Sequence, residues 1–108
     1  NTPGAVRNDL SRSFDEQPGF YHFATDLPGE RLVTDRPADT SGGQLWLASI
    51  PADPLSAPLA NWTYLLNPRA TWSKQTHTHP FLSPDGRRAF FNSDATGRME
   101  AYMLRLPQ

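Results

Sequence analysis

Cysteine is absent from the 108 residues. No disulfide framework and no thiolate metal site can form. That absence suits a reducing compartment, and a cytoplasmic location is the expectation. No apolar run approaches the roughly 20 residues of a membrane helix. No charged segment leading into an apolar one marks a secretory signal. An excess of either charge is missing as well: the formal net charge is −1. Nucleic acid and anionic membranes are therefore not expected partners. Apolar residues make up only 37%, below the roughly 45–50% of an average domain, a figure that also counts Gly. Long uninterrupted stretches are lacking too, because 11 prolines and 7 glycines are scattered along the chain. This argues against long helices and favours many short strands, an all-β protein. The chain also lacks an initiator Met and opens on Asn1-Thr2-Pro3-Gly4. We expect a piece cut from a longer chain, in which case the missing signal leaves the location open.

What is present falls into three segments. Residues 1–19 are polar and read as a loop or lead-in. Residues 20–68 carry four β-prone runs, at 20–25, 31–35, 44–50 and 61–66, separated by turn formers. Residues 69–108 carry three more, at 75–82, 87–92 and 100–106. Ser83-Pro84-Asp85-Gly86 has the chemistry of a type I turn, with Pro setting φ at the second position and Gly suiting the exit.

The last two segments repeat one another. His22 and His79 differ by 57 in number, as do Gly29 and Gly86, while Trp46 and Tyr102 differ by 56. Strand, Pro- and Gly-bearing turn, strand, loop and aromatic-bearing strand recur in that order. A long period with about four short strands per unit is the pattern of β-propeller blades. The expected fold is two antiparallel four-stranded blades, the second incomplete. An independent small β-sandwich or β-roll with chance self-similarity is the alternative.

All 3 histidines of the chain lie inside the repeats. His77 and His79 stand two apart, and Gln75 precedes them by two. On a strand, such positions project from one face about 7 Å apart, while Thr76 and Thr78 point to the other. His22 holds in the first unit the place His79 holds in the second. The first strand of each propeller blade lines the central channel, so equivalent positions on neighbouring blades converge. His22, Gln75, His77 and His79 are thus the candidate metal ligands. Imidazole and amide oxygen suit a borderline divalent ion: Mn, Fe, Ni, Co or Zn. With neither Cys nor a carboxylate in the motif, a site with open positions fits better than a closed structural zinc site.

Other chemistry is thin. Ser11, Ser13 and Ser73 lack a nucleophile-elbow context, no phosphate loop is present, and Asp85 belongs to a turn. Trp46, Trp62, Phe90, Phe91 and Tyr102 are expected in the core rather than as a sugar platform.

Three runs carry a family resemblance: Gly19-Phe20-Tyr21-His22-Phe23, Gln75-Thr76-His77-Thr78-His79-Pro80, and Phe81-Leu82-Ser83-Pro84-Asp85-Gly86 with Phe90-Phe91-Asn92-Ser93-Asp94. Together they resemble the C-terminal blades of oligogalacturonate lyase, over roughly residues 9 to 106. The His-x-His-Pro run with an upstream Tyr-His is the specific part. The last run is also similar to the general repeat of periplasmic TolB-type propellers, and a noncatalytic propeller module for protein or ligand binding is the alternative reading. The resemblance implies a seven-bladed propeller that binds a divalent ion, commonly manganese, through three His and one Gln. By motif these fall on His22, His77 and His79. In the family the Gln stands three residues before the first His of the pair, a place Lys74 holds here, and strand parity assigns the role to Gln75. The implied reaction is β-elimination on unsaturated galacturonate dimers or short oligomers, as in pectin degradation. The catalytic base and the substrate-gripping arginine of the family lie in earlier blades, and no residue here matches them. The implied partners are the oligogalacturonide substrate and the remaining blades. The chain by itself is expected to bind metal without being a competent lyase.

Overall fold

A computed structural model describes residues 21–37, 42–53, 57–72 and 77–107. The described residues form seven strands in two antiparallel sheets and no helix. The first sheet is a meander of β1 (His22–Thr25), β2 (Arg31–Arg36), β3 (Gln44–Ser49) and β4 (Ala60–Leu66). The second is a meander of β5 (Phe81–Leu82), β6 (Arg88–Ser93) and β7 (Glu100–Arg105). The all-β expectation and the count of four strands then three hold. The lead-in expected over residues 1–19 lies outside the described residues.

Burial follows strand position. Leu32, Val33, Thr34 and Asp35 of β2 are all buried, as expected of an inner strand covered on both faces. In β6 Ala89, Phe91 and Ser93 are buried, while Arg88 is exposed and Phe90 and Asn92 are partly covered. That alternation marks a sheet with one face docked and one open. Each first hairpin closes through its Gly: Gly29 N–H donates to Asp26 O at 3.2 Å, and Gly86 N–H donates to Ser83 O at 2.9 Å. Both glycines have positive φ, +73° and +72°, where a side chain would be strained.

The strand registers carry the repeat into three dimensions. Ala24, Val33 and Leu47 lie side by side across the first sheet. Their counterparts Phe81, Phe90 and Met103 lie side by side across the second. The two rows meet different surroundings. Val33 and Leu47 are buried against Leu82, Ala89 and Leu106 of the second unit, with Ala24, Leu65 and Leu104 at the margin. Phe81 and Met103 remain about half exposed, at 53% and 51%. A smaller cluster of Leu32, Ala48 and Leu59, edged by Ile50 and Trp62, covers the other face of the first sheet. The turns lock the sheets together: Leu27 N–H donates to Pro84 O at 3.0 Å. The Arg31 guanidinium donates to Gly86 O and Pro107 O, both at 2.6 Å.

One strand differs from expectation. A strand was expected over residues 75–82, but the described part contains only β5, Phe81–Leu82. Two local features interrupt the ladder. Pro80 has no N–H to donate, and His79 has a φ of +41°, outside the extended region.

Candidate metal centre

The site begins with a hairpin register. The turn through Asp26 and Gly29 places His22 opposite Asp35 in the β1–β2 ladder. Asp35 is fully buried, and a buried carboxylate is costly unless its oxygens are satisfied. It accepts from the His22 amide at 2.7 Å. The His22 ring returns to the same group, with Nδ1 at 3.2 Å from each carboxylate oxygen. A carboxylate only accepts, so Nδ1 is the donor in these contacts, and in the neutral ring Nε2 carries the lone pair. This is the arrangement that orients metal-binding histidines.

The segment leading into β5 supplies the other two rings. Thr78 is fully buried, and its hydroxyl donates to Asp35 Oδ2. Its carbonyl accepts from Asn92 N–H of β6 at 2.9 Å. Thr78 therefore faces inward, and His77 and His79 flank it on the outer side. Strand parity anticipated this alternation, although residues 77–80 are not strand. A left-handed residue before a proline is disfavoured, typically by about 1–3 kcal/mol, and such strain persists where surrounding contacts over-determine it.

The three imidazoles converge. Ring centroids lie 4.1 Å apart for His22 and His79, 5.4 Å for His22 and His77, and 5.8 Å for His77 and His79. One ring nitrogen from each can be chosen so that all three lie within 4.8 Å of one another. Three nitrogens held about 2.1 Å from one ion and spread evenly around it would stand about 3.0–3.6 Å apart. The widest pair would have to close by about 1 Å or more for all three rings to reach one ion. His22 and His77 are partly buried and His79 is exposed, so one side of the triad is open to solvent.

Two aromatic residues flank the triad. The Tyr21 ring lies 4.7 Å from His22 and 5.3 Å from His77, both edge-on. The Trp72 ring lies 5.6 Å from Tyr21 and 6.1 Å from His77. Trp72 is anchored: its Nε1–H donates to Gly42 O at 2.6 Å. A Cβ at Gly43 would come within 2.5 Å of the indole, so only glycine permits this seat. The preceding Thr71 donates to Asp94 through its hydroxyl at 2.7 Å and its amide at 2.9 Å. The hydroxyl first, and then the amide, hold the Asp94 carboxyl below its ordinary range.

The structure brings together His22, His77 and His79, and Gln75 lies outside the described residues. The His-bearing runs hold no carboxylate, but the ladder places Asp35 directly behind His22. A turn closed at Asp26–Gly29 would pair residues whose numbers sum to 55 and set His22 against Val33; in the structure Asp26 N–H donates to Arg31 O, so the ladder sums to 57 and His22 meets Asp35. Like Asp35, Thr78 and the flanking Tyr21 and Trp72 were not assigned a part from sequence. No protein-family model, characterised protein or solved structure matches the chain.

Proposed function

We propose that this chain supplies the divalent-metal site of an oligogalacturonate lyase, an enzyme that cleaves unsaturated oligogalacturonides by β-elimination. One observation carries the reading. Three imidazoles from two repeats converge on a partly open point, with a buried carboxylate behind the first of them. The resemblance of the Tyr-His and His-x-His-Pro runs to that family turns a general metal site into this one, and manganese is the ion it favours. Gln75 is proposed as a fourth ligand on the same ground.

In this reading each unit is a propeller blade, and further blades of a longer chain complete the channel. His22, His77 and His79 would hold the ion through ring nitrogens. When bound, the ion would polarise a uronate carboxylate, make the neighbouring C5 proton more acidic and stabilise the developing enediolate. Asp35 keeps the His22 proton on Nδ1, so that the nitrogen facing the ion stays free. Tyr21 and Trp72 wall one side of the triad and restrict the direction from which a sugar ring can approach. The base that takes the C5 proton and the arginine that grips the substrate are not assigned to residues of this chain.

The test uses the full protein of which this chain is part. It is stripped with a chelator, and turnover of unsaturated digalacturonate is followed by chromatographic loss of the dimer. Activity should vanish on stripping and return with Mn²⁺, and His77→Ala should fail to recover it. No manganese dependence together with an unaffected His77→Ala variant would sink the lyase reading and favour the noncatalytic module.

A further inference from the structure

Asp35 stands where an apolar residue would be easier to accommodate. It lies on the same face of β2 as Val33, which packs in the core between the sheets. A charge in such a place costs desolvation that a well-packed hydrophobic residue would avoid. The carboxylate nonetheless has donors on both sides. From the first sheet come the His22 amide at 2.7 Å and His22 Nδ1 at 3.2 Å. From the segment leading into the second sheet comes the Thr78 hydroxyl. Thr78 is the residue between His77 and His79. One buried group therefore touches a candidate ligand directly and holds the backbone that carries the other two.

We propose that Asp35 is a positioning residue for ion binding. Its carboxylate sets the His22 ring through Nδ1 and sets the 77–79 segment through Thr78. The inference rests on the metal-site reading above and extends it to residues that are not themselves ligands. His22 lies on the first sheet, and His77 and His79 on the segment leading into the second, so their spacing depends on how the two are docked. Asp35 fixes that docking at the site itself. In its absence the His22 ring can exchange tautomers and rotate, and the 77–79 segment loses its inward anchor. All three ligands are still present, but they no longer converge.

The experiment measures Mn²⁺ affinity of the metal-free full protein by calorimetry, with Mn²⁺ as the sole added ligand. Asp35→Asn keeps the side-chain volume and removes the charge. Thr78→Val removes only the hydroxyl, and Thr78→Ser restores it. We expect Asp35→Asn and Thr78→Val to weaken Mn²⁺ roughly 10–100-fold, the usual effect of losing a group behind a ligand, and Thr78→Ser to recover most of it. The ring nitrogens of His22, read by NMR in the metal-free protein, should report one tautomer in the parent and a mixture in Asp35→Asn. A parent protein that binds no Mn²⁺ would remove the metal reading and this inference with it. A parent that binds, with both variants binding equally well, would overturn this inference alone. So would a fall in thermal stability without any change in affinity or tautomer. If Asp35→Asn does not fold, the Thr78→Val and Thr78→Ser pair decides.

Discussion

The two sheets are built on one pattern and end in different surroundings. Ala24, Val33 and Leu47 of the first sheet correspond in register to Phe81, Phe90 and Met103 of the second. The first row is pressed against the second sheet, and the Arg31 guanidinium beside it donates to two carbonyls across the junction. The second row is largely open, and Arg88, which holds the place of Arg31, is exposed. Equivalent sequence thus gives equivalent local structure and unequal energy. What a side chain contributes depends on what its sheet is docked against.

Core truncation should show the largest contrast. Leu47 is 4% exposed and Met103 is 51% exposed. Leu47→Ala should cost about 2–5 kcal/mol by denaturant unfolding, as for other large-to-small core changes. Met103→Ala should fall within about 0.5–1 kcal/mol. Equal losses would mean that the open row is covered in solution.

The two turn glycines sharpen the same comparison. Both Gly29→Ala and Gly86→Ala force a Cβ into the left-handed region, at about 1–2 kcal/mol each. A Cβ at Gly86 also comes within 2.7 Å of Asp26 Oδ2, whereas one at Gly29 meets nothing within 4 Å. The Gly86 variant should therefore unfold at the lower denaturant concentration. Reversal of that order would show that the turns do not meet as described.

The arginines come next. Hydrogen bonds from charged groups contribute about 1.5–3 kcal/mol when well sheltered, and less where one carbonyl is exposed. Arg31→Ala should cost about 1–2 kcal/mol on this basis. Arg88→Ala should change stability by no more than about 0.5 kcal/mol.

The smallest effect is a matter of pH. Asp94 has no acidic counterpart in the first unit, where Pro37 stands 57 residues earlier. The Thr71 hydroxyl and amide hold the Asp94 carboxyl below its ordinary value of 3.8. A depressed folded value means that the stabilisation is fully present above pH 3.8 and is lost as pH falls through the folded value. Thr71→Val should move the Asp94 titration, followed by carboxyl NMR, back toward 3.8. An unmoved titration would detach Asp94 from Thr71 and so from the anchoring of Trp72.

Much of the fold was legible because turn chemistry and strand alternation are local. The hairpin at Ser83-Pro84-Asp85-Gly86 and the strands around residues 31–36, 44–49, 88–93 and 100–105 follow from neighbouring residues. The stretch over 77–80 did not follow. His-x-His alternation reads as strand, but the left-handed His79 before Pro80 breaks the ladder. At the site, the repeat arithmetic set His22 beside His77 and His79, and the ring centroids lie 4.1–5.8 Å apart. It passed over Asp35 because a lone carboxylate near the end of a strand carries no motif.

The residues themselves determined an all-β chain, its turns, its repeat and the shared repeat position of His22 and His79, with His77 two residues away. These depend on backbone preferences and side-chain spacing, which act over a few residues. Tertiary structure alone decided which row of the repeat is buried and which is open. It also decided that Asp35 and Thr78 meet across the junction of the sheets, and that three imidazole rings converge. Those outcomes depend on contacts between residues up to 76 positions apart, as Arg31 and Pro107 are, and only the docking of one sheet on the other creates them.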